Sequence, residues 1–194
     1  QVLEKVIQQH CSIFLYKNSD DQKTDKIIRQ FSNLNNIFKL GDGKNRGLAY
    51  ALNQLMSSAK QKGYKWLITM DQDTIVPSEL VSAYVPYLKR KDLGIIAPQI
   101  IDKRRKYMTI KTEPKLEYVS EVITSGSCTN ILAWEKVGKF DSWLFVDLID
   151  NEFCKRLIVS GYKILRLNNL ILDQEFGKIQ TKSPIKVGFY LWLS

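Results

Sequence analysis

One histidine in 194 residues removes the commonest catalytic and metal-binding machinery from consideration. His10 lies alone in a polar stretch, so it supplies no multi-histidine metal centre and speaks against a histidine-based triad. Cysteine is scarce as well. Cys11, Cys128 and Cys154 are far apart, odd in number and without C-x-x-C spacing, which suggests neither a disulfide framework nor a zinc site. A reducing cytoplasm fits that usage best. No apolar run reaches the ~18 to 20 residues that span a bilayer, and Gln1-Val2-Leu3-Glu4-Lys5 is no signal peptide. The expectation is a protein neither secreted nor integral to a membrane. Internal repeats and low-complexity segments are also missing.

What remains is the composition of one globular α/β domain: 44% hydrophobic, 25% charged, 22.5 kDa. Charge is unbalanced, with 29 Lys and Arg against 20 Asp and Glu, a net +9. The cations cluster at Lys89-Arg90-Lys91, at Lys103-Arg104-Arg105-Lys106 and along Lys178, Lys182 and Lys186. Solvated faces, an anionic membrane surface or acidic substrate, and nucleic acid are the physical readings of such a balance. No nucleic-acid-binding motif accompanies the clusters, so a nucleic-acid partner is not expected.

Apolar spacing predicts a helix over residues 2–9, a buried strand over 11–16, a short helix over 24–31 and a strand over 36–40. Leu48, Leu52, Leu55, Met56 and Ala59 share one helical face until Gly63. A strand over 66–70 follows, then a helix from Pro77 to about Leu88 and a strand over 93–98. Such alternation implies a parallel, doubly wound sheet. Beyond Pro98 the pattern is mixed, with short strands expected over 107–110 and 118–123, helices over 134–137 and 147–159, and a strand over 163–165.

The strand over 66–70 ends in Asp71-Gln72-Asp73. Two carboxylates at i and i+2 there would lie in the crevice where open α/β sheets bind ligands. Hard oxygen ligands suit Mg²⁺ or Mn²⁺ carrying a phosphorylated ligand, although an Asp-x-Asp is as easily a solvated turn or cap.

Three blocks, in order, give that pair a context. Asn45-Arg46-Gly47-Leu48-Ala49-Tyr50-Ala51-Leu52-Asn53 resembles the N-x-G-x-A-x-A-x-N segment of glycosyltransferase family 2. The stretch ending Asp71-Gln72-Asp73-Thr74 is similar to the version in bacterial rhamnosyltransferases of that family. Ser125-Gly126-Ser127, then Trp134-Glu135-Lys136-Val137-Gly138-Lys139-Phe140-Asp141, then Asp147-Leu148-Ile149-Asp150-Asn151-Glu152 follow in the same family order.

The resemblance implies a GT-A fold: a Rossmann-like, mostly parallel sheet flanked by helices, with a mixed C-terminal half. Residues 1–98 would form the nucleotide-sugar half and 99–194 the acceptor half, with the family's first strand absent from the start of the chain. It further implies an inverting transferase that moves a sugar, rhamnose by the nearest likeness, from a nucleotide-diphosphate donor to a lipid-linked glycan during surface polysaccharide synthesis. Asp73 would be a metal ligand, with Asp71 on the donor or the metal, and the ion would be Mn²⁺ or Mg²⁺. Asp150 matches the general base that an attacking sugar hydroxyl needs, with Glu152 in reserve; neighbouring carboxylates would raise its pKa and the helix N-terminus would lower it. Gly47 would let the donor approach the backbone closely, and Asn45 and Asn53 would either bind the donor or buttress the helix. Ser125 and Gly126 resemble the segment lining the acceptor side, and Trp134 and Trp143 would stack on sugar faces or pack in the core. A lipid-linked acceptor would also suit the basic balance, as peripheral contact with anionic lipid on the inner face of the plasma membrane.

Two residues depart from the pattern. Lys17, in Tyr16-Lys17-Asn18-Ser19, stands where an Asp commonly recognises the pyrimidine base, and a lysine cannot accept the base N–H. Gln174 stands where a histidine often completes the metal site. These departures motivate a second reading, a degenerate domain of the same fold that binds a nucleotide or partner without turnover. A basic nucleic-acid-binding domain is a weaker third.

Overall fold

The computed structural model describes residues 12–18, 26, 29–30, 33–71, 74–105, 107–145 and 147–174. Thirteen elements follow in order: β1 (Ile13–Tyr16), β2 (Ile37–Leu40), α1 (Leu48–Gln61), β3 (Trp66–Ile68), β4 (Thr74–Ile75), α2 (Leu80–Tyr84), a 3-10 turn (Val85–Tyr87), β5 (Leu93–Ile101), β6 (Leu116–Tyr118), β7 (Cys128–Asn130), α3 (Ile131–Lys136), α4 (Ile149–Val159) and β8 (Lys163–Gln174). The helix expected over 2–9 lies outside the described residues, as does most of that over 24–31.

β1 and β2 form a parallel pair. The other six strands make a mixed sheet in the order β3-β7-β5-β8-β4, with β6 paired on β8. β5 is the central strand of this layer. Its run Leu93-Gly94-Ile95-Ile96-Ala97-Pro98 is buried throughout, as a strand covered on both faces must be. Ile95 joins the cluster of Leu52, Met56, Trp134, Phe153 and Leu157. The next residue, Ile96, joins Leu80, Tyr84, Leu165 and Leu172 on the opposite face. The core is therefore two apolar layers, one on each side of the sheet.

The α/β class holds, while the pairing is less parallel than the alternation implies. Among the described strands only β1–β2 and β5–β8 run parallel; β3, β4, β6 and β7 all pair antiparallel. β7, three residues inserted between β3 and β5 by a loop that returns without a crossover helix, gives both of them an antiparallel neighbour, while β4 and β6 pair antiparallel on β8. Cys-Thr-Asn shows no alternation, so periodicity predicts no strand there. Residues 107–110 are not a strand: Tyr107 and Ile110 are exposed, with no face buried to hold a register. Only Leu116–Tyr118 pairs near the strand expected over 118–123. β8 is far longer than expected, because its first half pairs with β6 and its end with β4, across a register shift opposite Pro98–Gln99. The helix from Pro77 is short and gives way to a 3-10 turn at Pro86, which has no N–H to continue the ladder.

Candidate active site

Asp71 lies just beyond β3, and a second segment runs beside it. Thr69 N–H donates to the Ser127 carbonyl (3.0 Å), Gly126 N–H returns to the Thr69 carbonyl (2.8 Å), and the Thr69 hydroxyl reaches the Thr124 carbonyl (2.5 Å). Asp71 N–H then donates to Ser125 Oγ (3.3 Å), which also meets Thr74 Oγ1 at 2.9 Å. The carboxylate is held from the far end of the sheet. Gln174, the last residue of β8, donates from Nε2 to Asp71 Oδ2 at 2.8 Å. Gln174 is buried, and its Oε1 has no hydrogen-bond partner among the described residues.

Asp150 is the second residue of α4, a helix entered through Leu148 in the left-handed region (φ 65°). Its carboxyl faces a cavity of about 10 Å³ walled by Ile95, Val122, Phe140, Phe153 and Cys154, with Thr124 beside it. Room of that size is close to the lower limit for one water, so it admits a hydroxyl group and not a sugar ring. Asp150 Oδ1 is buried without a hydrogen-bond partner among the described residues. Burial pushes the carboxyl up from 3.8 to about 6; hydrogen bonds from the Thr124 backbone and side chain oppose the rise, and the charge of Asp71 adds to it. The carboxylates beside it in sequence, expected to raise it, are not the cause. Glu152 is engaged instead by Arg156, with Oε2 2.6 Å from Nη2, which also takes it out of reserve as a base.

The donor-side residues of the sequence motif are largely at work inside the fold. Asn53 donates to the Phe140 carbonyl (2.8 Å) and Ser142 Oγ (3.2 Å), and accepts from Trp134 Nε1 and Phe140 N–H (both 3.0 Å). That is the buttressing role, not donor binding. Trp134 is fully buried and offers no face to a sugar, whereas Trp143 is 88% exposed. Asn45 Oδ1 accepts the Gly47 N–H (3.0 Å) and Asn18 Nδ2 (3.3 Å), closing the turn before α1. Gly47 does permit a close approach, but by Phe145: a Cβ there would lie 2.7 Å from Phe145 Cδ2 and 2.8 Å from its carbonyl oxygen. Ser125 and Gly126 also point inward, with Gly126 packed on Pro98 and Leu172 and its carbonyl bonded to Tyr84 (2.6 Å). They shape the Asp71 turn and are not an exposed acceptor surface.

Asp73 lies outside the described residues. Among the described residues no three His, Cys, Asp or Glu side chains converge as a metal site. The oxygen chemistry still fits a hard cation, since Asp71 is a carboxylate and, among the described residues, no N–H or O–H satisfies the buried Gln174 Oε1. Sequence reasoning missed Thr124 and Asn18. Thr124 opens the polar run Thr124-Ser125-Gly126-Ser127 after Val122-Ile123, a break in apolar character that marks a segment leaving the core. Asn18, beside the conspicuous Lys17, ties β1 to the α1 turn by accepting the Arg46 N–H (3.0 Å) and donating to the Gly47 carbonyl (3.3 Å).

The family model described as Glycosyl transferase family 2 matches residues 1–135. The chain belongs to this family. Among its relatives, the dTDP-rhamnosyl transferase RfbF of Shigella flexneri is 24% identical over 197 residues, spanning 93% of this chain and 65% of the relative. The mannosyltransferase PcManGT of Pyrobaculum calidifontis, solved with GDP-Man and Mn²⁺, superimposes with a TM-score of 0.73 at 14% identity, over 92% of this chain and 53% of its own. TarS of S. aureus with UDP gives 0.66 at 13% identity, over 88% and 54%. The fold is thus of the GT-A type. The chain spans between half and two thirds of the length of these relatives.

Proposed function

We propose that the protein transfers a sugar from a nucleotide-diphosphate donor to a glycan acceptor with inversion at the anomeric carbon. The observation that carries this reading is Asp150, a carboxyl in apolar surroundings with one oxygen unpartnered, electrostatically coupled to Asp71 beyond β3. An acceptor hydroxyl fits the small cavity beside it, and Asp150 takes that proton as the hydroxyl attacks the anomeric carbon from the face opposite the leaving diphosphate. A pKa near 6 suits a general base, because the carboxylate is ionised at neutral pH and is a stronger base than an ordinary aspartate. Thr124 orients it. Asp71 and Asp73, with Gln174 Oε1, would hold Mn²⁺ or Mg²⁺, which supplies Lewis-acid stabilisation to the departing diphosphate.

Rhamnose as donor sugar is supported by the likeness to RfbF, and a nucleotide sugar with a divalent ion by the GDP-Man, UDP and Mn²⁺ of the structural neighbours. We assign residues 1–98 to the donor and 99–194 to the acceptor. The acceptor in this reading is a lipid-linked glycan of surface polysaccharide synthesis, met at the inner face of the membrane; the net charge of +9 supports it. No helix among the described residues is long and apolar enough to cross a membrane. A non-catalytic GT-A domain is the second reading, favoured by Gln174, whose amide N–H occupies Asp71 Oδ2 where the metal reading needs oxygen.

Thermal shift against a panel of nucleotide sugars with and without Mn²⁺ separates the two. The transferase reading expects Mn²⁺-dependent stabilisation by dTDP-rhamnose and release of dTDP. Stabilisation by a nucleotide without turnover of any donor favours the non-catalytic domain, and no response to any nucleotide defeats the transferase reading.

A further inference from the structure

The loop from Phe140 to Phe145 links the Asp150 cavity to the turn before α1. Phe140 walls that cavity, and Phe145 packs against Gly47 in the turn. Leu144 packs on the core, which leaves Trp143 88% and Phe145 54% exposed on either side of it. The loop is held at both ends and in its middle. Asn53 brackets the Phe140 backbone and donates to Ser142 Oγ (3.2 Å), and the Phe145 carbonyl accepts the Leu48 N–H (2.7 Å). Between them Asp141 accepts the Trp143 N–H at Oδ1 (2.9 Å) and the Leu144 N–H at its carbonyl (3.1 Å).

None of these bonds uses the Trp143 indole, and at that exposure it adds little by burial. What the anchoring does is fix the backbone that carries the ring, so a ligand resting there bears less ordering cost. The cavity beside Asp150 has room for a hydroxyl and not for a ring, so an acceptor sugar whose hydroxyl enters it must rest its ring on the surface outside. Trp143 follows Phe140 by three residues, which puts their Cα atoms no more than about 11 Å apart. Charge then selects the class of ligand. From Phe140 to Cys154 the sequence carries Asp141, Asp147, Asp150 and Glu152 and no Lys or Arg, a poor face for anionic lipid or nucleic acid. A neutral pyranose suits it, because its C–H face packs on an aromatic ring and its hydroxyls donate to carboxylates.

We propose that Trp143 is the platform on which a pyranose ring of the acceptor glycan stacks while one of its hydroxyls enters the Asp150 cavity. The proposal rests on the sugar-transfer reading for the ring's role as acceptor; stacking of a neutral sugar on Trp143 stands or falls by itself. The Asn53 hydrogen bonds thereby serve the site as well as the frame, since they hold the loop that carries the indole.

Nuclear magnetic resonance of the indole N–H groups in the whole protein, with dTDP and Mn²⁺ present, tests it. The probes are the methyl glycosides of rhamnose, glucose, galactose and N-acetylglucosamine, with sorbitol as an open-chain polyol control. Trp143→Ala identifies the Trp143 signal by its loss. At least one glycoside is expected to shift that signal saturably, and sorbitol is not. With that glycoside as acceptor, Trp143→Ala should raise its KM at least tenfold while kcat stays within about threefold and dTDP-rhamnose affinity is unchanged. Trp143→Tyr should recover most of the loss, and Val159→Ala, a similarly exposed apolar position on α4, should change nothing. No saturable shift with any glycoside, an equal response to sorbitol, an unchanged KM in Trp143→Ala, or a loss that falls on dTDP-rhamnose affinity overturns the proposal. A signal that moves only with phosphatidylglycerol vesicles, or only with protein concentration, overturns it too and gives the surface to lipid or to a second copy. A saturable shift in a protein that transfers to no acceptor sinks the transferase reading and leaves the platform standing.

Discussion

Replacing Asp150 by Asn should stabilise the protein at neutral pH while removing its activity. A carboxyl whose folded pKa lies above its unfolded one binds its proton more tightly in the folded state. Below about pH 4 Asp150 is protonated in both states and costs nothing relative to a neutral amide. Above about pH 6 it is ionised in both, and the folded state bears the full penalty of a carboxylate facing Ile95, Val122, Phe140 and Phe153. A rise from 3.8 to about 6 corresponds to about 3 kcal/mol, entering progressively as pH rises from 4 to 6. Urea melts of wild type and Asp150→Asn at pH 4, 5.5 and 7.5 read the difference directly, and groups common to both proteins cancel. The variant's advantage should be near zero at pH 4 and approach about 3 kcal/mol at pH 7.5, or several degrees in Tm for a domain of this size. A difference independent of pH, or a variant less stable at pH 7.5, would refute the burial of an ionisable carboxyl at this position.

Other substitutions probe the frame around the site. Gly47→Ala places a Cβ 2.7 Å from the Phe145 ring at φ +85°, and should cost about 1–3 kcal/mol and displace the loop leading to α4, measured by denaturation and by hydrogen exchange over residues 141–148. Asn53→Ala removes four hydrogen bonds and leaves Trp134 Nε1 buried and unpaired, a loss of about 2–4 kcal/mol in urea melts; a loss below about 0.5 kcal/mol would deny it the buttressing role. Gln174→His should tighten Mn²⁺ binding by tenfold or more, read by calorimetry, because imidazole is the better transition-metal ligand; unchanged affinity would remove Gln174 from the metal site.

Much of this architecture is legible in the sequence because it follows from periodicity. The apolar face of α1 and the unbroken run of β5 announce a helix lying on a sheet covered on both sides. β7 is invisible because three residues without alternation carry no pattern; their strand exists only through the partners on either side. Motif spacing leads to Asp71 and Asp150, but it cannot separate side chains that face a ligand from those that hold the frame. Asn53, Trp134 and Gly47 sit in the right motifs and act on Phe140, Ser142 and Phe145. The environment of Asp150 is likewise hidden. The carboxylates beside it in sequence do not set its pKa, and the apolar cavity that does is assembled from β5, β7, α4 and the loop before β7.

Whether Asp150 takes the acceptor proton in a sugar transfer is tested most directly by transfer rates from dTDP-rhamnose to a lipid-linked acceptor. Wild type and Asp150→Asn are compared with Mn²⁺ across pH 5 to 8. The wild-type rate should rise through pH 6, and the variant should lose at least a hundredfold in kcat with donor binding intact. A variant that transfers sugar at the wild-type rate, or a wild-type rate indifferent to pH across 6, would contradict that role.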